Sequence, residues 1–182
     1  MKKPQWRRRA STFVVDSPHM RLRVDELELP DGTVVADYYV RESEGFVVVF
    51  PVPAADRIVM VRQYRYGSDA IHLELPAGGL HAGEDPRECA ARELLEETGY
   101  EASRWTFVDS YYAEPVRATS RARIFLALDA HKTREPAPDP TEVLEVELVT
   151  FERFRTMLAD GTIDAGHAIV AGYRALDHLN RL

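Results

Sequence analysis

GGLHAGEDPRECAARELLEETGY, residues 78–100, contains a helix whose two ends are written into the chain. Asp85 is an N-cap residue, Pro86 fits the first helical position and Glu88 completes a capping box. Gly99 stands where a left-handed residue closes a helix. Between these marks Glu93, Glu96 and Glu97 fall on one side, flanked by Arg92, and Ala90, Ala91, Leu94, Leu95 and Thr98 on the other. The apolar side packs on a core. The acidic side needs a reason. Like charges at these spacings cost roughly 0.2–0.5 kcal/mol per pair in a bare helix, and the last turn disfavours anions by about 0.3–1 kcal/mol each. A solvated charged face is the ordinary explanation of an acidic helix, but such faces alternate Glu with Lys, and this helix has no lysine. The segment Ala77–Glu84 before it is rich in glycine, which lets backbone approach a ligand. Hard divalent cations take carboxylate oxygens and share their sites with substrate phosphates. The favoured reading is a site for Mg²⁺ and a diphosphate, with Glu93 and Glu97, one turn apart, as ligands and Glu96 beside them.

Gly78, Glu84, Arg92-Glu93-Leu94, Glu96-Glu97 and Gly99-Tyr100 together resemble the signature box of the Nudix hydrolases. Only the last position departs, Tyr100 standing where an aliphatic residue is usual. The resemblance implies an α/β (α+β) fold, an α/β/α sandwich on a mixed β-sheet. It also implies Mg²⁺, with Mn²⁺ as a substitute, held by Glu93, Glu96, Glu97 and the Ala77 carbonyl. Gly78 and Glu84 would support that site, and Arg92 would orient the glutamates by salt bridges.

The flanks extend the likeness. Gln63-Tyr64-Arg65, then Glu74-Leu75-Pro76-Ala77-Gly78, then Pro115 beyond the box are similar to the ADP-ribose pyrophosphatase branch of that family. Arg62 and Arg65 have the planar, bidentate chemistry that suits phosphate oxygens. The resemblance adds Glu74 and Pro115 as substrate contacts. It implies hydrolysis of ADP-ribose to AMP and ribose 5-phosphate by a homodimer whose N-terminal β subdomain reaches the partner's pocket. Glu142, at the end of the proline-rich stretch 132–141, matches the place where this branch carries its general base, so Glu93, Glu97 and Glu142 form the expected catalytic set. The segment Val116–Arg121 departs from the branch: it lacks the expected Gly and Glu, and Arg117, Arg121 and Arg123 make the region basic. Another nucleotide sugar, such as GDP-mannose, or a dinucleotide therefore stays open. So do a non-catalytic ligand sensor and a diphosphate isomerase, though the complete acidic set speaks against the sensor and no cysteine is obviously poised for isomerase chemistry.

Composition agrees with a globular enzyme. The chain has 182 residues, 45 % of them hydrophobic and 29 % charged, enough for one domain with a substantial core. A net charge of −7 argues against a nucleic-acid partner, and Arg7-Arg8-Arg9 reads as a solvated or substrate-facing terminus. The single cysteine, Cys89, excludes an internal disulfide framework and reads as packing. No apolar run is long enough for a membrane span and no signal-peptide core follows the basic start, so a cytoplasmic protein is expected.

The organisation expected is an N-terminal β subdomain and dimerisation arm over 1–43, followed by a hydrolase domain over 44–182. Alternation predicts a hairpin from 19–28 and 33–41 around Pro30-Asp31-Gly32. Residues 45–52 (GFVVVFPV) form an apolar run that predicts a buried strand. Further strands are predicted over 57–63, 71–75, 105–112, 122–128 and 143–150, and helices over 151–159 and 165–179.

Overall fold

The computed structural model describes residues 5–53 and 56–182. The chain divides into two compact units, Met1–Glu44 with Tyr112–Arg121, and Gly45–Tyr111 with Ala122–Leu182.

The smaller unit is an antiparallel sheet in the order β1-β2-β3, from β1 (Arg7–Ser17), β2 (Met20–Glu28) and β3 (Val34–Glu42). The expected hairpin is β2–β3, and Gly32 takes the left-handed conformation (φ +86°) its turn requires. β1 was not expected from the sequence. Its arginines are recruited by cross-strand charge, Arg7 pairing with Glu28 and Arg9 with Glu26 at 3.2 Å. Asp25, buried in the sheet, accepts from Ser11 at 2.6 Å and from Arg23 at 3.0 and 3.1 Å. Residues 112–121, placed in the larger domain by the sequence reading, join this unit. Arg41 bonds through its backbone to Arg117 and Thr119, at 2.8 and 3.1 Å.

The larger unit follows the predicted element order with two additions. Its elements are β4 (Phe46–Pro53), β5 (Arg57–Arg65), β6 (Ala70–Glu74), β7 (Ala77–Gly79), α1 (Pro86–Thr98), β8 (Tyr100–Glu101), β9 (Arg104–Tyr112), β10 (Arg121–Lys132), β11 (Leu144–Thr150), α2 (Phe151–Ala159) and α3 (Gly166–His178). One sheet runs β7-β4-β10-β8 with β9 beside β10, and a second runs β11-β5-β6. β4 and β10 are parallel and the other pairs with a resolved register are antiparallel, so the sheet is mixed. β7 and β8 are too short to show in a hydrophobic pattern.

β4 explains the apolar run at 45–52. Val48 and Phe50 enter a core with Ile58, Met60, Leu73, Ile124, Phe154 and Leu176, while Val47 and Val49 enter another with Cys89, Ala90, Leu94, Phe125 and Ala127. A strand covered on both faces cannot alternate with polar residues. The second of these cores receives the apolar side of α1 and leaves its acidic side turned away. Among the described residues no helix is long and apolar enough to cross a membrane.

Candidate active site

α1 has the ends its sequence predicts. Asp85 accepts from the N–H groups of Arg87 and Glu88, at 2.9 and 3.2 Å, and Gly99 closes the helix at φ +73°. Ahead of it, β7 pairs with β4 through Ala77↔Val48 and Gly78↔Val47, which brings the backbone of Ala77 and Gly78 against the helix. A Cβ on Gly78 would lie 1.9 Å from the Glu93 carboxyl carbon. Glycine here leaves the Glu93 carboxyl in its place against the strand.

Glu97 is 1 % exposed and accepts the Ala77 N–H at 3.1 Å. Burial pushes its pKa well above the ordinary carboxylate value, and the neighbouring charges of Glu93 and Glu142 push it further. Glu93 is raised as well, by burial first, with Glu96 and Glu142 adding to the effect against the opposing pull of Arg92. Arg92 gathers the rest. It donates to Glu84 at 2.9 and 3.2 Å, to Glu93 at 2.8 Å, to Glu96 at 3.1 Å and to the Gly79 carbonyl at 3.3 Å. Hydrogen bonding from Arg92 holds the Glu84 carboxyl down at about 2. Cys89 is buried at the same place, and desolvation pushes its thiol up to about 12, which suits packing.

Glu142 faces these acids. With Glu93, Glu96, Arg92 and Gly78 it lines a cavity of about 230 Å³, and Asp139 of the same loop lines it too. The loop is tied to the end of α1 by backbone: Ala137 N–H donates to Glu96 O at 2.8 Å, and the N–H groups of Thr133 and Arg134 donate to Gly99 O at 2.9 and 3.3 Å.

Arg65 and Glu74 form a second cluster beside the first. Glu74 is 2 % exposed, and its carboxylate receives Arg65 Nη2 at 2.6 Å and Nε at 3.2 and 3.3 Å. Burial would push Glu74 up, but its interactions with His167 and Arg65 outweigh this and hold it at about 2. Glu97 and Glu142 act on the Arg65 charge, so the guanidinium stands within electrostatic reach of the first cluster. Arg65 lines a further cavity, of about 180 Å³, with Ala77, Gly78, Gly79, Phe46 and His167.

The structure therefore brings together Ala77, Gly78, Glu84, Arg92, Glu93, Glu96, Glu97 and Glu142, with Arg65 and Glu74 adjoining. Arg62 does not join them: it lines neither cavity and pairs with Glu147 at 2.7 Å on the surface. Its place on β5 has the opposite parity to Arg65, so the two side chains leave opposite faces. Pro115 lies in the smaller unit. Asp139 and His167 went unread. Asp139 shares a short stretch with Glu142 that could have suggested it, whereas nothing local marks His167.

No three His, Cys, Asp or Glu side chains among the described residues form a ready-made metal cluster. The donor set nevertheless suits a hard divalent ion. Buried carboxylates that raise one another's pKa require external positive charge if they are to be ionised together. The room that Gly78 leaves by having no Cβ is filled by the Glu93 carboxylate itself.

Residues 43–169 match the NUDIX domain, and residues 6–40 match the nucleoside diphosphate sugar hydrolase N-terminal domain. The chain belongs to the NUDIX family. It is 37 % identical over 132 residues to the ADP-ribose pyrophosphatase of Bacillus subtilis (strain 168), covering 72 % of this chain and 71 % of that protein. It is 33 % identical over 153 residues to the methanol dehydrogenase activator of Bacillus methanolicus, covering 84 % and 82 %. The GDP-mannose pyrophosphatase of Klebsiella pneumoniae is 30 % identical over 156 residues, 80 % of this chain and 78 % of that protein. A crystal structure of an ADP compounds hydrolase superposes with a TM-score of 0.83 at 23 % identity, over 100 % of this chain and 98 % of that one, which establishes the shared Nudix fold.

Proposed function

We propose that this NUDIX protein hydrolyses the diphosphate bond of a nucleoside diphosphate sugar, ADP-ribose foremost, to AMP and ribose 5-phosphate. The observation that carries the reading is Glu97, 1 % exposed, whose carboxyl is raised by burial first and then by the charges of Glu93 and Glu142. A fold keeps such a cluster when an incoming cation relieves it. The names of the relatives support the substrate class.

Mg²⁺, with Mn²⁺ as a substitute, held by Glu93, Glu96, Glu97 and the Ala77 carbonyl, would neutralise the diphosphate oxygens and acidify the attacking water. The chain's own groups do the rest. Arg92 holds Glu84, Glu93 and Glu96 in register. Arg65 spends its Nε and one Nη donor on Glu74 and turns the remainder of its fork to a phosphate oxygen. Glu142 accepts a proton from the water as its oxygen bonds to phosphorus and the bridging P–O bond breaks. The protein works in the cytoplasm as a homodimer through its N-terminal sheet, a reading supported by the apolar side chains that sheet exposes, Phe13, Val14, Val15 and Tyr39 among them. The basic side chains Arg117 and Arg121, with the Klebsiella relative, favour GDP-mannose as the second substrate to try.

Incubation of the purified protein with Mg²⁺ and a panel of nucleotide sugars, dinucleotides and nucleoside triphosphates tests this directly. AMP release from ADP-ribose is expected, and a protein that cleaves no nucleotide sugar would refute the proposal. Glu142→Gln should lower kcat about 100-fold with KM within about twofold of wild type. An unchanged kcat removes Glu142 as the base.

A further inference from the structure

His167 takes no part in the chemistry above, yet its imidazole is set against the side chain that governs Arg65. Its Nε2 is buried without a hydrogen-bond partner and stands 3.6 Å from Glu74 Oε2, the same oxygen that Arg65 Nη2 reaches at 2.6 Å. The ring is held edge-on to Phe46, with centroids 6.3 Å apart and an interplanar angle of 90°. It forms part of the wall of the 180 Å³ cavity together with Arg65 and the backbone of Ala77, Gly78 and Gly79.

The placement of His167 is itself braced. β6 carries His72 and Glu74 at positions of equal parity, which share a face. His72 Nδ1 meets Asp164 Oδ1 at 2.6 Å, just ahead of α3, and Glu74 meets His167 within the first turn of α3. One strand face thus grips the start of α3 twice. The first grip fixes the backbone approach and the second delivers an imidazole to a buried carboxylate.

We propose that His167 is a positioning residue for substrate: it braces Glu74, and through Glu74 it fixes the angle of the Arg65 guanidinium toward the diphosphate. This rests on the hydrolase reading, because it takes Arg65 as a substrate contact. The physical argument is geometric. A carboxylate held by one guanidinium can swing with it, whereas one braced from a second side holds the fork in a single orientation. A shift of about 0.5 Å would bring Nε2 into hydrogen-bond range of Oε2, within what a filled cavity can impose. Arginine recognises phosphate through a planar fork, so misorientation weakens binding of the substrate before it touches proton transfer at Glu142.

The test is steady-state kinetics on ADP-ribose with Mg²⁺, with thermal melting to check that each variant is folded. His167→Ala, and His167→Phe, which keeps a ring against Phe46 but has no nitrogen, should each raise KM about tenfold with kcat within about twofold of wild type. His167→Gln, which returns an amide N–H near the Nε2 position, should recover KM to within about threefold of wild type. Combining His167→Ala with Glu74→Gln should raise KM no further than Glu74→Gln alone. A wild-type KM in both His167→Ala and His167→Phe would overturn the inference, as would a fall in kcat at unchanged KM, or a His167→Gln variant as impaired as His167→Ala. If the wild-type protein cleaves no nucleotide sugar, the hydrolase reading has failed at an earlier step, and the two failures are told apart by that first measurement.

Discussion

Glu74 precedes the short strand β7 in the chain and Glu97 accepts from its first N–H; they are 2 % and 1 % exposed, and their surroundings act on them in opposite senses. Glu74 is met by Arg65 at 2.6 Å with His167 behind it, and its carboxyl is held at about 2. Glu97 is met by one backbone N–H and by two other acids, and its carboxyl is pushed well above the ordinary range. Burial penalises both anions alike. What differs is the origin of the compensating charge: for Glu74 it is built into the chain, and for Glu97 it has to come from outside. The first arrangement is structural ion pairing, and the second is a site awaiting a cation.

The sharpest way to break this contrast is at Glu97. Glu97→Gln keeps an acceptor for the Ala77 N–H but removes the charge, and kcat should fall about 1000-fold. In metal-free buffer the same variant should melt no lower than wild type and gain less from added Mg²⁺, since a buried unpaired charge has been deleted. Calorimetry showing undiminished Mg²⁺ uptake would remove Glu97 from the ligand set. Gly78→Ala is the next largest. Its Cβ would fall on the Glu93 carboxyl, and because that group is the end of a flexible side chain, the fold survives while the carboxylate is displaced. Metal affinity should drop about 10- to 100-fold with an unchanged circular dichroism spectrum; wild-type affinity would mean that the close approach has no functional consequence.

Beyond its effect on KM, Glu74 is expected to show in stability, the smallest change of the set. Glu74→Gln should cost about 1–3 kcal/mol near neutral pH by leaving Arg65 half-paired. A carboxyl whose folded value is depressed stabilises the protein above its unfolded pKa, about 4.5, and loses that contribution as pH falls toward its folded value of about 2. Urea titrations of wild type and variant should therefore converge as pH is lowered through that interval. A gap that stays constant with pH would show that the Glu74 charge contributes nothing.

How much of this could be read in the chain follows the range of each signal. The ends of α1, the pairing of apolar and acidic sides and the double burial of β4 are local patterns, and each is present as expected. β1 was hidden because its stabilising partners, Glu26 and Glu28, lie on another strand, so its arginines read alone as a solvated run. Arg62 and Arg65 look like equals in sequence, yet strand parity sends one to Glu147 and the other to Glu74. Glu74 reads as a substrate contact until its burial is seen, and its second neighbour, His167, comes from the far end of the chain. The acids of α1 were legible since one helix carries them all. The cluster around Arg65 was legible only in Arg65 and Glu74 and not in His167, because three separate elements assemble it.

The proline-rich loop, which in sequence is the least regular part of the larger unit, is fastened by backbone to Glu96 and Gly99 of the helix that presents the acids. A Cβ on Gly99 would strike the Arg134 carbonyl at 2.0 Å, so the fastening is snug as well as bonded. The reach from Glu142 to Glu93 is consequently gauged by a handful of neighbouring peptide groups and owes little to the outer strands. Evolution could vary the outer strands, and with them the preferred leaving group, without recalibrating the reactive centre.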